Sequence, residues 1–252
     1  MDDNNKVCFI ISNKYVKGYV SFIDYYVGNI QQLYKDSLII IVDNNSDDLT
    51  DVYAKLNKYS NDKLVILINN TPCKYELGAY KVGIQYLIDN NILNDYNYYI
   101  FIQDTFVLKN KYDFNNLMKH NIMACPIQTF INDNYNRLYD SYFTPLVTKV
   151  LNRLNLNNNI NDLRLCWSNS FVLHKSRLEE FRNITYDINI TNKSETCDCE
   201  RFLSAILYKL NNNINYTIDN IYTQAEIEPL RSVDIPNVKT HYYFAKRLSN
   251  KQ

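Results

Sequence analysis

Two aspartates follow apolar segments at places where a carboxylate needs a binding partner. Asp43 comes directly after the run SLIIIV at 37–42, and Asp104 follows YYIFI at 98–102 after one intervening residue. A carboxylate beside buried apolar residues is unfavourable unless it is hydrogen-bonded, paired or coordinated. Two such carboxylates at one edge of a sheet suit a polyhydroxylated ligand, or a diphosphate held through a divalent metal. For Asp43 there is also a structural alternative, an N-cap or an Asx-turn after a strand.

A second pair of acids, Asp198 and Glu200, opens a segment with helical spacing. In Cys199–Leu210 the apolar side chains share one face, and Glu200 falls at the edge of that face in the predicted first turn. Asp198 is placed as the N-cap of this helix. One of the two carboxylates could act as a general base on an acceptor hydroxyl while the other caps the helix. The spacing leaves open which residue has which role.

The elements that would position these acids alternate along the chain. Short apolar runs are typical of buried strands, and the segments between them have helical apolar spacing. This alternation predicts an α/β domain with a parallel sheet covered on both faces, in which ligands bind beyond the carboxyl ends of the strands. The predicted strands are residues 6–12, 37–42, 63–68 and 98–102, a core helix is predicted within 142–156, and a strand with a short helix is predicted within 168–181.

Composition and charge limit the class of protein. The chain of 252 residues has 27 basic and 27 acidic side chains, so no field of one sign predicts binding to nucleic acid. No secretory leader opens the chain, and no apolar run reaches the roughly 20 residues that a membrane span needs. We therefore expect a cytoplasmic protein without a membrane span.

The cysteines and glycines exclude several kinds of site. Six cysteines in a reducing compartment are expected to be free thiols. Cys197 and Cys199 form a C-x-C, which lacks the C-x-x-C spacing of zinc sites and has no second pair. The chain has neither G-x-G-x-x-G after its first strand nor G-x-x-x-x-G-K-[ST], and it has only four glycines with which to build such loops. Dinucleotide-dependent dehydrogenases and P-loop enzymes are therefore excluded.

Five segments occur in order along the chain: IIIVDNNSDD, YELGAYKVGI, YYIFIQDTFVL, CWSNSFVLHKSRLEEF and CDCERFLSAIL. Together they resemble glycosyltransferases with the A-type fold, in particular family 2 and related bacterial polysaccharide transferases. IIIVDNNSDD resembles their nucleotide-binding strand end, YELGAYKVGI resembles their donor-site segment, and YYIFIQDTFVL occupies the position of their D-x-D motif. CWSNSFVLHKSRLEEF resembles the acceptor-side strand and helix, and CDCERFLSAIL resembles the segment with the catalytic base. The resemblance implies one domain over 1–252 with a Rossmann-like mixed sheet and helices on both faces. About 1–110 would bind the nucleotide sugar, and about 111–252 would form the acceptor half and C-terminal tail.

The roles of individual residues follow from this resemblance. It implies transfer of a sugar from a nucleotide diphosphate sugar to a glycan or other hydroxyl acceptor, with inversion of configuration. Glu200 is the implied catalytic base because ERFLSAIL matches an E-R pair in the bacterial enzymes, and Asp198 is the alternative. The implied donor-binding residues are Ser12, Asn13, Asp43, Glu76, Tyr80 and Asp104.

The chain departs from the family at the D-x-D motif, where it reads Gln103-Asp104-Thr105 and keeps one carboxylate. The resemblance implies a divalent metal, Mn²⁺ or Mg²⁺, bound by Asp104 and the C-terminal His241, since neutral imidazole is a competent ligand. The alternative is an enzyme that depends little on metal. Basic residues around His241 would neutralise the departing diphosphate, and they are Lys239, Lys246 and Arg247.

Two other functions stay open. The missing D-x-D carboxylate suggests a non-catalytic module of the same fold that binds a sugar nucleotide or a glycan. A sugar nucleotidyltransferase would share the α/β sheet, but it needs a glycine-rich basic loop after the first strand, and SNKYVKGYV at 12–20 is a poor version of one. The single tryptophan, Trp167, would either stack on an acceptor sugar or belong to the core.

Overall fold

A six-stranded mixed sheet forms the centre of the molecule. The computed structural model describes residues 6–15, 21, 23–47, 53–59, 62–104, 106–108, 110–130, 144–156, 165–221 and 244–246. The strands are β1 (Val7–Asn13), β2 (Leu38–Asp43), β3 (Leu64–Ile68), β4 (Tyr98–Gln103), β5 (Phe106–Leu108), β6 (Ala124–Pro126), β7 (Gln128–Phe130), β8 (Phe171–His174), β9 (Asp219–Ile221) and β10 (Phe244–Lys246).

The order of strands in the central sheet is β3-β2-β1-β4-β8-β6. Strands β1 to β4 are parallel to one another, β8 is antiparallel to β4, and β6 is antiparallel to β8. Outside this sheet, β10 pairs with β5 and β7 pairs with β9. Because β8 lies directly against β4, the two predicted halves of the chain share one continuous sheet.

Helices cover both faces of the sheet. Their bounds are α1 (Ile23–Leu33), α2 (Tyr75–Asp89), α3 (Asn115–Lys119), α4 (Pro145–Arg153), α5 (Lys175–Thr185) and α6 (Lys193–Leu210), with 3-10 helices at Lys55–Tyr59 and Trp167–Asn169. Within the described ranges, none of the helices combines the length and the apolar character needed to cross a bilayer.

Alternate residues of each strand point into two separate cores. From β1, Val7, Phe9 and Ile11 join the cluster that contains α1, whereas Cys8 and Ile10 join the cluster that contains α2, α4, α5 and α6. Every residue of β1 and β2 is therefore buried, because one residue faces each layer in turn. This explains why the sequence shows continuous apolar runs rather than alternation.

The prediction of an α/β fold with a mixed sheet and flanking helices is confirmed. The four predicted strands of the first half, the core helix within 142–156 and the strand with a helix after 168 are all present. Between β2 and β3 the described residues include the 3-10 helix Lys55–Tyr59, which buries Leu56.

Candidate functional site

Polar residues follow four neighbouring parallel strands at one edge of the sheet. Asn13 at the end of β1 lies opposite Asp43 at the end of β2, and Asp43 in turn lies opposite the last residue of β3. The backbone amide of Asp104, just after β4, donates to the carbonyl oxygen of Ser12 over 2.9 Å. Asp43 and Asp104 therefore lie on the same edge. We call this edge the carboxyl rim, formed by residues 12–15, 43–47, 69 and 103–104.

The Asp43 carboxylate is completely buried and is enclosed by donors from the protein itself. Its Oδ2 accepts from the hydroxyl of Tyr53 at 2.6 Å, from Nδ2 of Asn13 at 3.3 Å and from the hydroxyl of Ser46. Its Oδ1 accepts from the backbone amide of Ser46 at 2.8 Å. Burial, and then the hydrogen bond to Asp43, raise the pKa of Tyr53 far above its ordinary value, so Tyr53 remains a donor. Asp43 thus caps the turn after β2 and fixes Tyr53 at the rim.

Two asparagines extend this network along the rim. Asn44 donates from Nδ2 to the hydroxyl of Ser12 at 2.8 Å, and Asn69 donates from Nδ2 to Oδ1 of Asn44 at 2.8 Å. The backbone amide of Asn69 also donates to the carbonyl oxygen of Asp43 at 2.8 Å. Neither residue could be predicted from the sequence, because Asn is so frequent in this chain that a functional Asn carries no signal.

Helix α2 begins so close to the rim that Gly78 has no room for a side chain. A Cβ at this position would lie 1.9 Å from the carbonyl oxygen of Cys73 and 2.6 Å from Nδ2 of Asn69. At the start of the same helix, Tyr75 has a φ of 58°, a left-handed conformation that is unfavourable for an aromatic residue. The close approach brings Glu76, in the first turn of α2, to the end of β4.

Glu76 is bound there by Gln103, the residue that stands in the first position of the D-x-D-like tripeptide. Nε2 of Gln103 donates to Oε1 of Glu76 over 2.7 Å. The neighbouring Asp104 accepts at Oδ2 from the backbone amide of Lys14 over 3.0 Å. Glu76 and Asp104 are both partly exposed, unlike Asp43. The glutamine therefore positions a carboxylate that comes from a different element.

The short turn before β8 links Glu76 to Glu200. Ser168 and Asn169 have φ angles of 57° and 54°, and consecutive left-handed residues other than glycine are costly. Oε1 of Glu200 accepts from the backbone amide of Ser168 at 2.7 Å, which holds this turn in place. Nδ2 of Asn169 donates to Oε2 of Glu76 over 3.5 Å. Glu200 thus lies at the same site as Glu76 and supports the turn between them.

Helix α6 begins at Lys193, earlier than the predicted start at Cys199. Its N-cap is Asn192, whose side chain accepts from the backbone amide of Glu195 at 3.1 Å. The prediction that Asp198 caps the helix is therefore wrong, as is the placement of Glu200 in the first turn. The first turn of α6 is mostly exposed, so apolar periodicity could not detect it, although the capping sequence N-K-S-E could have.

Asp198 lies inside α6 and is engaged on both of its oxygens. Oδ2 accepts from the hydroxyl of Thr144, the N-cap of α4, over 3.0 Å. Oδ1 pairs with Nη1 of Arg201 at 3.4 Å, and Asp198 is only 6% exposed. This placement favours a role in joining α4 to α6, which leaves Glu200 as the more accessible of the two candidate bases.

Tyr80 is placed in the core rather than on the rim. Its side chain is fully buried and packs edge-on against Phe101 and Phe171, with ring centroids 5.2 and 5.6 Å away. Burial, and then the charge of Glu76, raise the pKa of its hydroxyl well above the ordinary value. The helical periodicity of this segment puts Tyr80 on the apolar face of α2, which agrees with its placement in the core. The implied contact between Tyr80 and the nucleotide sugar does not agree with this placement.

The C-terminal strand β10 pairs with β5, the strand that follows the rim residue Asp104. In the pairing of β10 with β5, Lys246 lies opposite Phe106, two residues beyond Asp104. His241, Lys239 and Arg247 lie outside the described residues, as does the side chain of Trp167.

The described residues do not fit a metal site made of protein ligands alone. In the part of the chain that the structure describes, no three His, Cys, Asp or Glu side chains are placed to hold a metal ion. At the D-x-D position, Gln103 is engaged with Glu76, and Asp104 is the one carboxylate of the tripeptide.

Comparison with known proteins does not assign this site. No protein-family model matches the chain, and no curated protein sequence matches it. What the site can do must follow from its chemistry. Three partly exposed carboxylates, Glu76, Asp104 and Glu200, lie among amide and hydroxyl groups at the carboxyl ends of the strands. Such groups accept hydrogen bonds from hydroxyls, and a carboxylate among them can take a proton.

Proposed function

We propose that this protein is a glycosyltransferase with the A-type fold, which transfers a sugar from a nucleotide diphosphate sugar to a hydroxyl acceptor. One observation carries the proposal: a hydrogen-bonded series of side chains runs along the carboxyl ends of the strands from Gln103 through Glu76 and Asn169 to the turn held by Glu200. This series connects the strand end expected to bind the donor with the helix expected to supply the base. Ligands of open α/β sheets bind at this edge.

On the donor side, the exposed carboxylates would make the direct contacts. Asp104 and Glu76 are partly exposed and would accept from ribose or sugar hydroxyls. Asp43, Asn13 and Ser12 are buried and bonded to the protein, so they would shape the nucleoside pocket from beneath. Tyr80 has no part in this contact.

In the transfer step, the acceptor hydroxyl oxygen attacks the anomeric carbon from the face opposite the diphosphate. The bond from that carbon to the diphosphate oxygen breaks, and the diphosphate leaves with the bonding pair. Glu200 takes the proton of the acceptor hydroxyl, so the product is an inverted glycoside, a nucleoside diphosphate and a protonated carboxyl group.

Asn169 gives the proposal additional support. Its Oδ1 is buried and has no hydrogen-bond partner among the described residues, while its Nδ2 donates to Glu76 and to the carbonyl oxygen of Thr196. Exchanging the amide oxygen and nitrogen would place the oxygen against two acceptors, so the network sets this orientation. A buried acceptor without a partner is unfavourable, and a ligand hydroxyl reaching it would remove that cost.

A non-catalytic binding module is the second candidate. It is favoured by Gln103, which binds Glu76 where the family carries a carboxylate, and by the fully enclosed Asp43. Such a module would bind the same nucleotide sugar and would leave it intact.

The experiment is a thermal-shift screen against a panel of nucleotide sugars, with and without Mn²⁺, followed by assay of nucleoside diphosphate release. A ligand present at 100 times its Kd stabilises the folded state by about 2.7 kcal/mol, which raises the melting temperature measurably. Release of the diphosphate only when a hydroxyl acceptor is present supports transfer, and binding without release supports the module. Glu76→Gln should weaken binding, whereas Glu179→Gln, at an exposed position on α5, should not. Absence of any stabilising nucleotide sugar would refute both candidates.

A further inference from the structure

A groove of about 490 Å³ lies between α2, the end of β3 and the C-terminal end of α5. None of the three exposed carboxylates of the candidate site lines it, so it is a separate feature of the molecule. Its volume lies within the range of about 300–1,000 Å³ that is usual for small-molecule sites. Much of its wall is apolar and is contributed by Leu67, Val82, Ile84 and Tyr86.

Lys81 supplies a cation to this apolar groove. Its Nζ donates to the carbonyl oxygens of Ile188 at 2.5 Å and Tyr186 at 3.1 Å, just beyond the C-terminal end of α5. An ammonium group has three protons to donate, so one is left after these two bonds. No carboxylate of the described residues forms an ion pair with Lys81, and nearby Asp187 is already paired with two other basic side chains. Burial lowers the pKa of Lys81, as expected for a partly desolvated ammonium group.

Arg182 supplies a second cation on the opposite wall. Its Nη2 donates to Oε1 of Gln85 at 3.4 Å, and its guanidinium group forms no ion pair with a carboxylate of the described residues. The acidic residue in the wall, Asp89, accepts from Nε2 of Gln85 at 2.7 Å. The groove therefore presents two cations against one carboxylate.

We infer that this groove binds a small amphiphilic anion, an apolar molecule that ends in one carboxylate. Cations beside apolar surface are unfavourable without a counter-charge, and an anionic head would accept from Lys81 and from the guanidinium group of Arg182. The apolar body would lie on the partly exposed Leu67 and Val82, with the buried Ile84 directly beneath. This inference does not depend on the proposed glycosyl transfer.

The probe is sodium decanoate below its micelle concentration, compared with 1-decanol, which has the same chain without the charge. Binding is followed on the full chain by the methyl resonances of Leu67, Val82 and Ile84, which report the groove directly. Decanoate should shift these resonances in a saturable manner and bind at least about tenfold more tightly than decanol, a difference of about 1.4 kcal/mol.

Lys81→Met and Arg182→Met should each weaken decanoate binding by about tenfold and leave decanol binding unchanged, since each keeps an apolar stem and removes one charge. Lys193→Met, at an exposed position on α6, is the matched control and should bind like the original protein. Val82→Trp should block both ligands by filling the groove. The inference is overturned if millimolar decanoate leaves the methyl resonances unmoved, or if decanol binds as tightly as decanoate. It is also overturned if Lys81→Met and Arg182→Met both keep a normal melting temperature and still bind decanoate as tightly as Lys193→Met.

Discussion

At the scale of single residues, burial separates the acids that can meet a ligand from those that hold the fold together. Asp43 is fully buried and Asp198 is nearly so, and both are bonded to protein donors. Glu76 and Glu200 are partly exposed, and both also hold neighbouring elements in place. Glu76 accepts from Gln103 and Asn169, and Glu200 accepts from the backbone amide of Ser168. Each of these two carboxylates is therefore available to a ligand and also stabilises the fold. The two roles must be tested with substitutions that remove one role at a time.

Asp43→Asn should lower the free energy of unfolding by about 2 kcal/mol or more. The reason is that an amide NH2 group would replace a carboxylate oxygen and would face hydroxyl and N–H groups that donate to that oxygen in the original protein. The expected result is an earlier midpoint in urea denaturation followed by circular dichroism. Asp62→Asn, at an exposed position, should change stability by less than about 0.5 kcal/mol. An unchanged midpoint for Asp43→Asn would mean that the buried network contributes nothing to stability.

Glu200→Gln tests the role of Glu200 as a base separately from its role in holding the turn before β8. The amide oxygen can still accept from the backbone amide of Ser168, so the melting temperature and the affinity for a nucleotide sugar should stay nearly unchanged. The turnover number should fall by about 10² or more, which is usual when a positioned proton acceptor is lost. Glu200→Ala should show the same loss of turnover and also a lower melting temperature.

Asp198→Asn is the comparison that decides between the two acids. It should affect the contact of α4 with α6 and hence stability, with turnover largely kept. If Asp198→Asn abolishes turnover and Glu200→Gln does not, then Asp198 is the base and Glu200 only supports the turn.

At the scale of elements, three of the described helices begin at a residue whose side chain caps the first turn. Thr144 caps α4, His174 caps α5 and Asn192 caps α6, each by accepting from a backbone amide in the first turn. His174 differs from the other two because it titrates. Burial, and then the charges of Lys175 and Arg177, lower the pKa of His174, and its ring packs edge-on against Tyr98.

This cap makes stability depend on pH. Because the folded-state pKa lies below the unfolded value of about 6.5, the unfolded chain binds more protons between the two values, and stability rises with pH there. The contribution of His174 is therefore present above about pH 6.5 and is lost as pH falls towards the folded-state pKa. His174→Asn keeps a capping side chain and removes the titration, so its midpoint in urea should fall less between pH 7 and pH 5 than that of the original protein. Parallel pH profiles for the two proteins would contradict this assignment.

At the scale of the whole molecule, one sheet joins the two halves of the chain. Phe101 of β4 stacks on Phe171 of β8 with ring centroids 4.5 Å apart, and Phe181 of α5 packs on Phe171 at 5.1 Å. Tyr80 of α2 completes this aromatic cluster from the first half. Each half needs the other to bury its core, because without the other half these aromatic rings would be exposed to solvent.

We therefore expect the chain to unfold in a single cooperative transition. The fluorescence of Trp167 reports the second half, and far-ultraviolet circular dichroism reports both halves. Their midpoints in urea should coincide, as two-state unfolding requires. Two separate transitions would show that the halves are independent folding units.

The sequence by itself determined the features that depend on local pattern. Strands buried on both faces give continuous apolar runs, and α2 and α4 show a 3.6-residue stripe, so these elements were predicted close to their observed bounds. The positions of Asp43 and Asp104 at strand ends follow from the same pattern, since parallel strands bring their carboxyl ends to one edge.

Only the tertiary structure decided how the acids are used. Whether Asp43 is exposed depends on Tyr53 and Asn13, and Tyr53 lies ten positions further along the chain, beyond the end of β2. The bonds of Gln103 to Glu76 and of Ser168 to Glu200 join residues 27 and 32 positions apart. No local period encodes such contacts, because they arise from the way β4, β8, α2 and α6 pack, and the free energy of that packing is shared among many residues.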